Sequence, residues 1–200
     1  TRITIAGPAP TAPTPTTPLT TTSLPTAATT PIANAPPTTP PIVSAPGRVN
    51  ASALSFDVPS GWTVSAVDEM PAGSSARDTK VVLDPATTNY LIRAYVTPLD
   101  SSRSVRRKAE DLEAGLSGRS TAGYSRVEMA DFDFGDANGR SFPAVWWEYD
   151  HDVDGIRLRS INILFDTANL SIGFVTRTPV GVADGYGTLF EQVRQSVEVR

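Results

Sequence analysis

Asp150-His-Asp-Val-Asp-Gly155 is the densest group of acid–base and metal-ligating side chains in the chain. Its D-x-D-x-D-G spacing matches the opening of a calcium loop, where carboxylates supply hard oxygen ligands and the glycine allows a sharp bend. The match stops there. The twelfth position falls on Ile161, which has no carboxylate for the bidentate contact, and strand patterns flank the segment where helices belong. It reads as an acidic hairpin tip with Asp-Gly in the turn. Asp131, Asp133 and Asp136 form a second acidic group just before Asn138-Gly139. Two carboxylates held at a set separation in a cleft can hydrolyse a glycoside, but turn chemistry accounts for these three equally well. His151, the sole histidine, sits in the acidic tip, read as a solvated loop, and no G-x-S-x-G elbow accompanies it. The lack of cysteine excludes disulfides, thiolate chemistry, iron–sulfur clusters and cysteine zinc sites. Gly185-Tyr-Gly187 is too short to cradle a phosphate. The expectation is no catalytic residue, no metal and no cofactor, hence no enzyme. A hydrolase using Asp131/Asp133 and Asp150–Asp154 is the less favoured alternative.

The aromatic residues carry the binding hypothesis instead. Trp146 and Trp147 are adjacent on one strand, so they point to opposite faces of a sheet. Val145, Trp147 and Tyr149 share one face; Ala144, Trp146 and Glu148 share the other. In a sheet covered on both sides each tryptophan is core. On a partly covered face, Trp146 would line a groove for an apolar ligand or a partner peptide, and Phe174 is the second candidate for such a surface. Trp62, in Pro-Ser-Gly-Trp, reads as a packing anchor after a turn.

The elements that must position these residues are short strands and two helices. Ala53–Val58 and Trp62–Val67 flank the turn Pro59-Ser60-Gly61, and Lys80–Leu83 and Tyr90–Val96 flank Asp84-Pro85-Ala86-Thr87. Met70–Arg77 is polar. Val105, Ala109, Leu112 and Leu116 then recur at helical spacing, with Ser102 or Ser104 to cap the start and Gly118 at the C-cap. The basic run Arg106–Lys108 is a solvated helix face, interleaved with Glu110, Asp111 and Glu113. Arg126–Phe134, Pro143–Asp150, Ile156–Phe165 and Leu170–Val175 are further strands. Thr188-Leu-Phe-Glu191 reads as a capping box opening a last helix that buries Leu189, Phe190, Val193 and Val197. The fold class is α+β, an antiparallel sheet packed by two helices.

Composition divides the 200 residues unevenly. Twelve of 18 prolines and 14 threonines precede Gly47, where the only charge is Arg2; all 21 acidic residues follow it. Proline fixes φ and removes backbone donors, so residues 1–47 read as a disordered Pro/Thr-rich linker, able to reach on the order of 140 Å when extended. Glycosylation of this stalk is the alternative to a passive spacer. Residues 48–200 hold the domain, enough chain to bury roughly 70% of its unfolded surface. There 21 acids oppose 16 bases without a concentrated basic face, which argues against nucleic acid. No apolar run reaches the roughly 20 residues that span a bilayer.

Ser55-Phe-Asp-Val-Pro-Ser-Gly-Trp62 resembles the opening of PsbP-like domains. Thr97-Pro-Leu-Asp100 before the helix, Gly139-Arg140 before the aromatic strand ending in Glu148-Tyr149, and Ser171-Ile-Gly173 narrow the likeness. Together with the linker, residues 48–200 resemble the C-terminal extracytoplasmic domain of actinobacterial type VII secretion-associated proteins. Where that family is expected to carry a cysteine after the glycine, this chain has Phe174. LpqN-type lipoproteins, which share the sandwich, are the nearest competitor. The resemblance implies no catalytic residue. It implies a docking or accessory domain outside the cytoplasm, tethered to membrane or envelope through a segment upstream of Thr1, with envelope or secretion-system proteins as partners. A lipid or glycolipid module of the LpqN type is the alternative.

Overall fold

Alternating β-branched and aromatic residues drive much of the folded unit into extended structure, because such side chains pack well on a pleated surface. The computed structural model describes residues 47–118 and 121–200. Residues 1–46, nearly all of the expected linker, lie outside the described residues. The folded unit opens with β1 (Gly47–Asn50), β2 (Leu54–Val58), β3 (Thr63–Glu69), β4 (Arg77–Val82) and β5 (Leu91–Pro98). Helix α1 (Val105–Gly118) follows, then β6 (Ser125–Gly135), β7 (Ser141–Val153), β8 (Ile156–Asp166) and β9 (Leu170–Pro179). A 3-10 turn (Val180–Val182) leads into α2 (Ala183–Gln195), and β10 (Glu198–Val199) closes the chain.

Seven strands form one antiparallel sheet in the order β3-β4-β5-β9-β8-β7-β6. A second sheet, β1-β2-β10, was not expected. Its outer strands have only four and two residues, too short for periodicity to show. Gly47, expected to end the linker, pairs with Val58 in β1. The arrangement is the α+β class expected, with one helix on each face of the large sheet.

Helix α1 lies on the face of Val145, Trp147, Tyr149 and Leu164, with Ala109 fully buried at the contact. A small residue there lets helix and sheet approach closely, and Lys108 fixes the spacing by reaching Asp166 at 2.7 Å and Ser171 at 3.0 Å. Ser104 Oγ accepts from the Arg107 N–H at 3.2 Å, one of the two caps expected. Gly118 belongs to the helix itself and is not a left-handed cap. On the other face α2 and the small sheet cover Val81, Ile92, Ala94, Ile172 and Phe174. Tyr186, Leu189, Phe190 and Val193 supply the helix side of this core at 3–4-residue spacing. The capping-box expectation fails: α2 begins at Ala183, so Thr188 lies inside it, and Val182 precedes the first turn without a side-chain cap. The preceding 3-10 turn delivers the chain directly into the helix, which makes a capping side chain unnecessary for its start.

Candidate functional site

Trp146 faces away from Val145, Trp147 and Tyr149, as its strand position requires. Both faces are covered, but only in part. The core under α2 is centred on β4, β5, β9 and β8, and Trp146 stands at its β7 margin, partly buried and packed edge-on against Phe132 at 6.3 Å. Between this margin and α2 runs a cleft of about 130 Å³. Its sheet wall is Trp146, Ile161 and Ile163, and its helix wall includes Ala183, Gly187 and Phe190. The cleft exists because the helix presents small residues there: a Cβ placed on Gly187 meets no atom within 4 Å. Its rim is charged but internally neutralised. Arg159 binds Asp150 at 2.9 Å and Glu148 at 3.3 Å, and Arg194 binds Glu191. Trp146 Nε1 is buried without an acceptor among the described residues, an unspent donor in an apolar setting.

Phe174 occupies a different position from the one expected. It is 1% exposed, meets Phe56 edge-on at 5.3 Å, and forms the deep end of the cleft. It is core, so it can serve only as part of the cleft's lining; of the two candidates, Trp146 is the partly exposed one.

The acidic groups are spread along the fold. Strand β7 continues through Val153, which reduces the expected Asp150–Gly155 loop to a two-residue turn with Asp154 at φ 49° and Gly155 at φ 78°. Positive φ at both positions is the type I′ geometry that suits a twisted hairpin. Asp150 and Asp152 are held by Arg159 and Arg157. His151 is the clearest correction. It is 5% exposed in β7, beneath the α1 face, not in a solvated loop. Arg177 Nε donates to Ser160 Oγ at 3.2 Å, leaving the hydroxyl proton for His151 Nε2 at 3.1 Å. Burial, and then the Arg177 and Arg157 cations, push the imidazole down to about 4, so it is neutral. Asp131 is an exposed side chain on β6, 3.7 Å from Arg106. Asp136 is buried and structural. It accepts from the N–H groups of Asn138, Arg140 and Val199 and from the Arg140 guanidinium at 2.6 Å. Burial pushes its carboxyl up, but these hydrogen bonds outweigh that and hold it below the usual range.

Sequence reasoning missed the helix wall of the cleft. Ala183 and Gly187, four residues apart on α2, were the available signal, since small residues at that spacing leave one helix face without bulk.

Solved structures share this architecture. The solution structure of cyanobacterial PsbP (CyanoP) from Synechocystis sp. PCC 6803 matches with a TM-score of 0.56 at 13% identity, over 77% of this chain and 92% of that one. LpqN of Mycobacterium tuberculosis, described as involved in cell envelope biogenesis, matches with a TM-score of 0.51 at 12% identity, over 78% and 86%. No family model and no curated protein matches the chain. At such identities the likeness establishes a fold, and the fold is PsbP-like.

Proposed function

We propose that the folded unit is a non-catalytic accessory domain working outside the cytoplasm, tethered by its Pro/Thr-rich segment, that docks onto an envelope or secretion-system protein through the Trp146 cleft. The type VII secretion apparatus of an actinobacterium is the particular setting we propose, on the phrases quoted from Ser55 to Gly173. The observation that carries the reading is the cleft itself. A half-covered tryptophan beside Phe132 and Ile161, ringed by paired charges, has the make-up of a contact anchor, because aromatics in a desolvated pocket commonly dominate interface energies. Size argues against a glycolipid in this same cleft. Ligand pockets run roughly 300–1,000 Å³, whereas this cleft of about 130 Å³ suits one inserted side chain. The hydrolase alternative has less support still, since Asp150 and Asp152 are engaged by arginines and Asp136 by backbone N–H groups.

The test is a photo-crosslinking amino acid at Phe132 in the full chain, in the cells that make it. The docking reading predicts a protein adduct. A lipid adduct would support the glycolipid alternative, and no adduct would overturn docking at this margin.

A further inference from the structure

The opposite face of the large sheet holds a second, larger hollow. Helix α1 packs on β7 and β8, so β9 and β5 beside it remain open on this face. A groove of about 450 Å³ results, with Leu91, Tyr95 and Val175 in its floor and Leu112 and Leu116 on its helix side. Tyr95, Asp111 and Leu112 also line an adjoining hollow of about 490 Å³. Both volumes fall within the range of ligand sites. Leu112, part of the apolar stripe expected to face the core, is 43% exposed here.

The polar groups of the groove are unbalanced. Arg93 is paired with Asp78, with Nε and Nη2 at 2.7–2.9 Å from the carboxylate. Asp111 is engaged by Arg103 at 2.9 Å and Arg107 at 3.1 Å. Arg177 is partly buried in the floor and forms no ion pair among the described residues; the contact of its Nε with Ser160 leaves its other donors free of any carboxylate. Burial is the largest cause lowering its pKa; Tyr149, through its charge and its hydrogen bond, opposes this, and the neighbouring Arg93 cation adds to it, so its positive charge is held at a cost. Asn162 adds a buried Oδ1 to the same groove, without a donor among the described residues. A guanidinium kept partly buried without a carboxylate partner among the described residues calls for an anion from outside the folded unit.

We infer that this groove binds a small amphipathic monocarboxylate, its carboxylate on the Arg177 guanidinium and its apolar body along Leu91, Tyr95 and Leu112. The carboxylate supplies the missing counter-charge bidentately, and the apolar body displaces water from the aromatic and aliphatic floor. The site is independent of the Trp146 cleft, which lies on the other face of the sheet.

The test is calorimetric titration of the full chain with decanoate, below its micellar range, against decan-1-ol of equal chain length. Decanoate is expected to bind at least about tenfold more tightly than the alcohol, the gain typical of one charge-assisted contact. Arg177→Gln should abolish that preference. Leu112→Glu, at an exposed helix position that leaves the core intact, should weaken decanoate binding with an unchanged thermal midpoint. Trp146→Ala should leave decanoate binding unchanged, so loss of docking and loss of this site read separately. Equal affinity for acid and alcohol in the unmodified chain would overturn the inference. So would an undiminished preference in Arg177→Gln, or undiminished decanoate binding in Leu112→Glu.

Discussion

Two adjacent tryptophans show how much a one-residue step in a strand decides. Trp147, 1% exposed, is packed at 4.6 Å against Tyr149 beneath α1; Trp146 stands at an open margin. Trp147→Ala should cost about 3–5 kcal/mol of folding stability. Trp146→Ala, which removes only a partly buried side chain, should cost about 1–2 kcal/mol. Chemical denaturation of both variants checks this, and equal losses would place Trp146 in the core. His151 makes a pH prediction. Its ordinary value is 6.5 and the fold lowers it to about 4, so the unfolded chain takes up a proton that the folded chain refuses. The contribution is complete above about pH 6.5 and is lost as pH falls toward about 4. Over that window the unmodified chain should lose more stability than His151→Gln; parallel stability–pH curves would contradict the assignment.

At the scale of elements, Asp136 ties two sheets together. Its carboxylate closes the β6–β7 hairpin through Arg140 and also accepts the Val199 N–H of β10 at 3.2 Å, while Arg140 donates to the Val199 carbonyl. Asp136→Ala leaves those donors unpaired, and a loss of about 2–3 kcal/mol is expected in denaturant unfolding. A loss under about 0.5 kcal/mol would show the tie to be incidental. The long strands and α1 were legible because their apolar positions repeat over many residues, as Val145, Trp147 and Tyr149 do. The small sheet was not, because β10 has two residues and its pairing with β2 joins chain ends far apart in sequence. The start of α2 was misread because Thr188 and Glu191 satisfy a local pattern that Ala183–Gly187 overrides by already being helical. Trp146 could be assigned to a face from alternation alone. The bulk on α2 opposite it could not, since that depends on tertiary placement. Asn162, set between Ile161 and Ile163 in a central strand, was an unread signal of the polar groove on the α1 face.

Across the whole molecule, a folded unit from Gly47 onward follows a segment with twelve prolines and a single charge. That composition offers no apolar periodicity to bury against the unit, so deleting residues 1–46 should leave its thermal midpoint within about 2 °C, less than about 1 kcal/mol for a domain of this size. A larger fall would mean that the segment packs on the domain. The central claim is that the cleft between α2 and Trp146 receives a side chain from a protein partner, and it is tested most directly by filling the cleft without harming the fold. Gly187→Leu does this, because the new side chain enters open space and the substitution removes a helix-interior glycine, itself unfavourable by about 1 kcal/mol. The decisive measurement compares the photo-crosslinked protein adduct from Phe132 with and without Gly187→Leu, alongside the thermal midpoint. The docking account predicts that the adduct disappears while the midpoint holds or rises; an adduct of undiminished yield in a fully folded Gly187→Leu chain would contradict it.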